Sequence, residues 1–239
     1  MDWRDEGVIL SMRPHGESAA IIEVFTRGHG RHAGVVRGGA SRRMAPHLQP
    51  GTQVAAVWTA RLSEHIGAFA VEPQRSRAHL MGDRLALAGL SAVCALLAVS
   101  LAEREPHEAL WRDTLTLLDR LEGPGWPAAY LHWEMRLLED LGFGLNLSAC
   151  AVTGDRDGLA YVSPRTGRAV SRRGAGDWAD RLLPLPEGML GQGPLSAAEL
   201  QQGLAITGHF LGRELAEGLR GRPLPEARGR LLDLLARSA

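Results

Sequence analysis

The strongest constraint on the fold is a change in the character of the sequence at about residue 75. Before this point, short segments with alternating or β-branched residues are separated by turns rich in Gly and Pro. Five such segments at this spacing predict a small β-barrel, and both the OB-fold and an SH3-like barrel fit the length. The predicted strands are Val8–Met12, Ala19–Thr26, His32–Arg37, Gln53–Leu62 and His65–Val71.

After Pro73 the apolar residues follow a helical pattern. Several of these segments begin with Pro in the first helical turn or end with Gly after the last apolar residue of the pattern. Ser196 and Glu199 form a capping box, which predicts the start of a helix. The predicted helices are Asp83–Ala102, one from Pro106 that ends before Gly123, Pro127–Gly142, Ser196–Leu219 and Leu224–Arg237.

Between Asn146 and Leu195 no helical period holds. This stretch is rich in Gly, Arg and Pro and is too long for a simple loop, so we expect short strands within it. The fold class that follows is α+β. We predict a barrel domain at residues 1–78 and a mainly α-helical domain at residues 79–239, with residues 146–195 as an insert in the second.

Composition excludes several classes of protein. The chain has 239 residues, of which 45% are hydrophobic and 23% are charged, so it can bury a core and is not a disordered chain. Its two cysteines, Cys94 and Cys150, are far apart, which excludes a disulfide framework and fits a reducing cytoplasm. The acidic N-terminus is unlike an export signal. Leu85–Ala102 is uncharged, but its six Ala favour a buried helix over a membrane span.

The charge distribution indicates an anionic partner. All 27 basic residues are Arg, and they balance 27 acids. Residues 1–80 carry ten Arg against seven acids, whereas residues 81–239 carry seventeen Arg against twenty acids. No acid occurs between Glu23 and Glu64, a stretch that holds six Arg. A local positive field of this kind is typical of proteins that bind nucleic acid or anionic membranes, although a solvated basic loop has the same composition.

Sequence motifs do not support an enzyme. Gly28–Ala33 matches the G-x-G-x-x-A dinucleotide signature, but strand and turn follow it where a helix N-terminus would have to bind the pyrophosphate. No Walker loop, G-x-S-x-G elbow or H-E-x-x-H helix occurs. His29 and His32 have no Cys or acid near them in sequence, so we interpret them as surface imidazoles rather than metal ligands.

The insert contains part of a zinc-ribbon pattern. A structural zinc site of this type needs two C-x-x-C pairs, but here Cys150 is alone and Thr153 occupies the position of the second ligand. Residues 167–173 supply no distal cysteine. We therefore expect a zinc-ribbon-like insert without metal, whose hairpins are held by packing of Leu159, Tyr161 and Val170.

Several short motifs follow one another along nearly the whole chain. In the first domain these are Arg13–Ser18, Phe25–Arg31, Gly38–Ala40 and Leu48–Gly51; in the second they are Glu134–Gly144, Leu147, Cys150 and Ser163–Gly167. In order, they resemble the motifs of the RecO family of bacterial recombination mediators, and the resemblance depends on the order and spacing of the pieces more than on any one of them.

The resemblance implies a fold and a set of partners. The family has an N-terminal OB-fold, a helical domain and, in many members, a four-cysteine zinc ribbon, of which this chain keeps one cysteine. RecO-like proteins bind single- and double-stranded DNA, anneal strands coated by single-stranded-DNA-binding protein, bind the acidic C-terminal tail of that protein, and join RecR to help load RecA. Contact with RecF, and with RecA indirectly, belongs to the same expectation. The resemblance thus implies a non-enzymatic protein of the cytoplasm and nucleoid that needs no cofactor and contacts no membrane.

We predict the DNA contacts from the basic stretch. They are Arg27, Arg31, Arg37, Arg42 and Arg43. Base stacking should contribute little in this domain, because alternation places Trp58 and Phe69 in the core. We also expect Gly16, Gly30 and Gly51 to be turn residues and Arg136 to form an ion pair within its domain.

Two other functions fit the same residues. One is an RNA-binding OB-fold protein of ribosome or tRNA metabolism, since a basic barrel face suits either nucleic acid. The other is an adaptor whose basic loop binds acidic protein tails and never DNA. A comparison of binding to matched DNA and RNA oligonucleotides would distinguish an RNA-binding protein from a DNA-binding one. Footprinting of residues 27–43 with DNA and with tail peptide would distinguish an adaptor from a DNA-binding protein.

Overall fold

Five antiparallel and parallel pairings close the N-terminal strands into a barrel. The computed structural model describes residues 1–62, 65–216, 221 and 223–238. The strands are β1 (Asp2–His15), β2 (Ala19–Thr26), β3 (Gly30–Val36), β4 (Gln53–Thr59) and β5 (Ala68–Arg75). Their order around the barrel is β1-β2-β3-β5-β4, and β5 pairs in parallel with β3. This is the OB-fold, so the predicted fold is confirmed and the SH3-like alternative is set aside.

Side-chain alternation places one face of each strand in the barrel core. Trp58 and Phe69 are buried as predicted, and the indole of Trp58 donates to the carbonyl oxygens of Ala33 and Ile66 at 3.2 and 3.3 Å. A short 3-10 helix, Ala45–Leu48, inserts Leu48 into the core. The other buried core residues are Ile9, Ala20, Ile22, Val24, Val36, Val54 and Ala56.

Two helices belong to the same compact unit as the barrel, Met1–Glu122. α1 (Arg84–Ser100) starts at Asp83, whose carboxylate accepts from the amides of Leu85 and Ala86. It packs on β1, while α2 (Glu108–Arg120) follows after a short linker. Among the described residues, no helix is long and apolar enough to cross a membrane.

The second compact unit, Gly123–Ala239, is mainly helical. It contains α3 (Trp126–Asp140), the four-residue α4 (Arg172–Ala175), α5 (Ala197–Glu214) and α6 (Glu226–Arg237). A buried ion pair connects three of these helices. The guanidinium of Arg228 on α6 donates to both carboxylate oxygens of Glu134 on α3, at 2.7 and 2.9 Å, and the hydroxyl of Thr207 on α5 donates to the same carboxylate.

The insert has a small sheet of its own, as predicted. β6 (Leu159–Val162) lies between β7 (Ala169–Ser171) and β8 (Leu183–Pro184), and both pairings are antiparallel. Leu159 and Val170 are buried in it, whereas Tyr161 is half-buried. That the insert derives from a zinc ribbon stays a prediction.

The element types agree with the sequence predictions, and the boundaries differ in places. β1 is much longer than predicted, and β5 extends past Pro73 because a bulge in its pairing with β4 accommodates the proline. The capping box at Ser196 is present, but Leu219, the predicted end of that helix, lies outside the described residues. The domain boundary predicted at residue 78 also stays a prediction. In the structure, α1 and α2 belong to the same compact unit as the barrel.

Candidate nucleic-acid interface

The β2–β3 hairpin separates the five predicted arginines into two groups. Arg27 lies in the turn after β2, and Arg31 lies at the start of β3. Arg37 follows the last residue of β3, and Arg42 and Arg43 lie in the loop beyond it. Arg31 and Arg37 are six positions apart along an extended strand, a span of about 20 Å. The structure therefore places the two groups at opposite ends of the hairpin.

At the turn end, carboxylates neutralise the cations. The guanidinium of Arg27 is 2.6 Å from the carboxylate of Glu108 on α2, and this hydrogen bond raises the pKa of Arg27 and lowers that of Glu108. Arg31 is mostly buried and contacts Glu23 at 2.9 Å and Glu103 at 3.8 Å. Both arginines are therefore already paired with carboxylates.

A close approach of two backbones brings Glu103 and Glu108 to the hairpin. The amide of Arg104, in the linker between α1 and α2, donates to the carbonyl of Arg31 at 2.9 Å. Gly30 has a φ of +69°, and a Cβ there would lie 2.0 Å from the carbonyl oxygen of Glu105. Only glycine permits this contact, so Gly30 is a structural turn residue, as the sequence predicted.

At the other end of the hairpin the cations have no such partners. Arg37, Arg42 and Arg43 are exposed and form no ion pair with any residue that the structure describes. Arg13 on β1 is exposed and equally unpaired in the described part of the chain. We name these four residues, Arg13, Arg37, Arg42 and Arg43, the arginine patch.

Strand register explains why Arg13 belongs to this patch. Met12 pairs with the core residue Ile22, so Arg13 points away from the barrel core, and Arg37 does likewise because it follows the core residue Val36. Since β2 lies between β1 and β3, the two strands are about 10 Å apart on this outer face. Sequence analysis missed Arg13 because Glu17 and Glu23 separate it from the acid-free stretch, and only the register of β1 could have identified it.

The loop that carries Arg42 and Arg43 is anchored at both ends. The amide of Ala40 donates to the carbonyl of Ser18 in the β1–β2 turn at 3.0 Å, and Leu48 is fully buried at the other end. Ser41 accepts from the amides of Met44 and Ala45 through its carbonyl. The loop therefore presents its guanidinium groups from a fixed backbone next to β1 and β2.

The aromatic side chains of the barrel are engaged internally. Trp3 stacks on His29 with centroids 4.3 Å apart and packs edge-on against Phe69, while Trp58 and Phe69 are buried. His32 is also buried, and desolvation together with the charge of Arg104 lowers its pKa to about 4. The interpretation of His32 as a surface imidazole is wrong, since the aromatic residues enclose it. A ligand on this barrel therefore meets guanidinium groups rather than aromatic rings.

In the insert, two loops converge on Cys150. Its thiol sulfur accepts from the amide of Thr153 at 3.4 Å and from the amide and hydroxyl of Ser171 at 3.2 and 3.3 Å. Burial raises the pKa of the thiol, but these hydrogen bonds outweigh it and lower the pKa to about 6. Ser171 and Gly174 are three residues apart, as are Cys150 and Thr153. A Cβ at Gly174 would lie 2.8 Å from the sulfur of Cys150, so this position also lies next to the thiol.

This set of side chains does not fit a structural zinc ion. Zinc in such a site is held by four thiolate or imidazole ligands, whereas the four converging positions here are one cysteine, two hydroxyl residues and a glycine. Within the described ranges, no group of three or more His, Cys, Asp or Glu could hold a metal ion. Hydrogen bonds to the Cys150 sulfur join the two loops instead. Ser171 and Gly174 escaped sequence analysis because neither is a ligand type.

Comparison with known proteins identifies relatives along the whole chain. Residues 1–76 match the family described as the N-terminal part of recombination protein O, and residues 81–223 match that described as its C-terminal part. A protein of Cereibacter sphaeroides, named DNA repair protein RecO, is 70% identical over 238 residues, and the match covers 100% of both chains. Proteins of the same name from Roseobacter denitrificans and Dinoroseobacter shibae are 62% and 58% identical, each over at least 99% of both chains.

Proposed function

Because the chain belongs to the RecO family of DNA repair proteins, we propose that it acts as a recombination mediator that anneals complementary single strands and helps load RecA. The family consists of repair mediators and is not a known enzyme family. Such a protein has to bind phosphates and partner proteins. Neither task requires that a covalent bond of the DNA be broken.

The observation that carries this proposal is the arginine patch. Four exposed guanidinium groups have no ion-pair partner in the described chain: Arg13 and Arg37 on the outer face of an OB-fold barrel, and Arg42 and Arg43 in the loop after β3. Guanidinium groups bind phosphate through paired hydrogen bonds, and each contact releases counterions from the nucleic acid. Because no Phe, Tyr or Trp ring is exposed among the barrel residues that the structure describes, we expect binding here to be nearly independent of sequence.

Arg27 and Arg31 have a different role in this proposal. Their pairs with Glu103 in the linker and Glu108 on α2 hold these segments against the β2–β3 hairpin. A phosphate would have to displace Glu108 or Glu23 to reach them. We therefore propose the arginine patch as the DNA contact and assign the two other predicted arginines to the barrel's own structure.

The acidic tail of single-stranded-DNA-binding protein needs a site of its own. A cleft of about 440 Å³ in the second unit is lined by His132, Met135, Arg136 and Leu145, which combine cationic and apolar groups. Arg136 pairs with Glu139 at 2.5 Å, as predicted, so a tail carboxylate would compete with that acid. We propose this cleft for the tail; contacts with RecR and RecF, and the indirect one with RecA, follow from family membership alone.

The test of the DNA contact compares two double variants of equal charge. Arg42→Ala with Arg43→Ala removes two unpaired cations of the patch, whereas Arg27→Ala with Arg75→Ala removes two exposed cations that already pair with Glu108 and Asp119. We expect the first variant to weaken single-strand binding and to reduce the slope of log K against log salt by about 1.4, and the second to change the slope little.

Annealing of complementary strands coated with single-stranded-DNA-binding protein measures the complete function. The patch variant should anneal more slowly than wild type, and the control variant should not. Equal slopes for both variants would remove the patch from DNA binding. Tighter binding to an RNA strand of the same sequence, with no annealing, would favour the RNA-binding alternative.

A further inference from the structure

One aromatic ring stands apart from the others in its exposure. Trp178 is 61% exposed, more than any other aromatic side chain that the structure describes, the next being Phe143 at 42%. It lies on a 3-10 helix, Gly176–Arg181, within the insert. Single exposed apolar residues are common on protein surfaces, so the case for a ligand here depends on the groups around the ring.

A guanidinium already covers part of this indole. The Cζ atom of Arg181 lies 4.7 Å from the ring centroid of Trp178, within the range of a cation–π contact. The contact orients the ring and leaves most of its surface accessible. A flat, mostly accessible indole can stack with a nucleobase, while the permanently charged guanidinium beside it attracts the phosphate backbone.

The neighbouring residues favour a strand of nucleic acid over a protein. Arg172 is exposed on α4, directly before this helix, whereas the guanidinium of Arg173 lies 3.4 Å from the carboxylate of Asp155. The other charged residues exposed around the ring in sequence include the acids Asp177 and Asp180. A protein-binding hot spot centred on a tryptophan is normally surrounded by other apolar side chains. Here the exposed surroundings in sequence are charged, and the guanidinium groups of Arg172 and Arg181 are available to phosphates on either side of the ring.

The segment is rigid enough to present the ring. Ser171 caps α4 by accepting from the amide of Gly174 and donates to the Cys150 sulfur, so the start of the segment is fixed. Ala175 and Leu185 are buried on either side of the helix. The indole is therefore held in place before a ligand arrives, which lowers the entropy lost on binding.

We propose that Trp178, with Arg181, forms a base-stacking site for single-stranded nucleic acid on the insert, and that Arg172 contacts an adjacent phosphate. The site is separate from the arginine patch, which contacts phosphates only. This inference rests on the proposed function and deepens it, because it divides the work of single-strand binding. The barrel supplies sequence-independent charge, and the insert supplies recognition of unpaired bases.

The test uses strands that differ only in their bases. Binding of the full chain is measured for an oligothymidylate of about 25 nucleotides, for an abasic strand of the same length, and for a duplex. Trp178→Ala should weaken oligothymidylate binding about fivefold or more, and should leave binding of the abasic strand and the duplex unchanged. Trp178→Phe should keep most of the affinity, and Phe143→Ala, which removes another exposed ring of the same unit, should have no effect.

A second readout is the fluorescence of the indole itself. Oligothymidylate should quench the wild-type emission, and Trp178→Phe should lose most of that quenching, since the other five tryptophans are mostly buried or packed in the barrel. Equal binding of oligothymidylate by wild type and Trp178→Ala would overturn the proposal. So would an equal loss on the abasic strand, or a loss confined to binding of an acidic tail peptide.

These results also separate the two proposals. If wild type binds the abasic strand and the oligothymidylate equally well, the stacking site is refuted while DNA binding by the patch stands. If wild type binds no strand at all, both proposals fail.

Discussion

An arginine's neighbours decide whether its charge is available to a ligand. Arg27 and Arg37 are both exposed and lie near the same hairpin, yet Arg27 contacts Glu108 and Arg37 contacts no acid in the described chain. Sequence position does not indicate which of the two arginines is paired, because Glu108 is 81 residues from Arg27. At this scale, the charge of a residue is known from sequence but its pairing is not.

His32 provides a prediction about stability and pH. The imidazole is buried among Trp3, Trp58 and His29, and its Nδ1 has no hydrogen-bond partner; the charge of Arg104 lowers its pKa further, while that of Glu103 opposes this. An unfolded histidine titrates at about 6.5, and burial lowers the folded pKa to about 4. Between these values the unfolded chain binds a proton that the folded chain does not, so stability rises with pH in this window and is lost as pH falls through it.

We expect the low pKa of His32 to reduce the free energy of unfolding by up to about 3 kcal/mol as the pH falls from 7 to 4. Urea unfolding measured across this range should show a steeper loss for wild type than for His32→Gln. His47→Gln, which changes an exposed imidazole, should follow wild type. Parallel curves for all three proteins would contradict the inference that His32 is buried in its neutral form.

At the scale of elements, strands and helices follow from local pattern, whereas loops depend on what they contact. The predicted bounds of β2 agree with the structure, because alternation and flanking turns mark both ends. The convergence of residues 150–154 and 171–174 was not predictable, since cysteine spacing was the only available signal and three of the four positions carry other residues.

The junction of these two loops gives a second prediction. Ser171→Ala removes the hydroxyl that donates to Cys150 and caps α4, and we expect a loss of about 1–2 kcal/mol in the stability of the insert. Hydrogen exchange at residues 150–175 gives a local readout, and Ser148→Ala, an exposed serine of the same unit, is the matched control. Unchanged exchange in Ser171→Ala would show that packing alone holds the insert.

Metal analysis tests the same element independently. The purified chain should contain no stoichiometric zinc, and a chelator should leave its thermal unfolding unchanged, because one thiol and two hydroxyl groups are a poor ligand set for zinc. One equivalent of zinc per chain would show that ligands outside the converging positions had been missed.

At the scale of the whole molecule, net charge conceals the distribution that matters. The chain has 27 arginines against 27 acids. Dividing the sequence at residue 80 gave a slightly basic first part, and the structure sharpened this further by pairing the cations at one end of the barrel and leaving those of the patch unpaired.

The absence of lysine leads to a prediction about the whole binding surface. Every side-chain cation other than histidine is a guanidinium, which keeps its charge at all pH values at which proteins fold. We therefore expect single-strand affinity at constant ionic strength to stay level from pH 7.5 to about 10, where a lysine-based surface would lose charge. Fluorescence anisotropy measures this directly, and a decline above pH 9 would show that a titrating group takes part.

The sequence by itself determined the order of strands and helices, the buried Trp58 and Phe69, the resemblance to RecO and the presence of a lysine-free basic stretch. These follow from local periodicity, turn chemistry and composition, which depend on residues close together in the chain. Only the tertiary structure decided which arginines are paired, that Arg13 joins the patch, that His32 is buried and that Trp178 is exposed. Each of these depends on contacts between residues far apart in sequence, and electrostatic and packing energies act through distance in space.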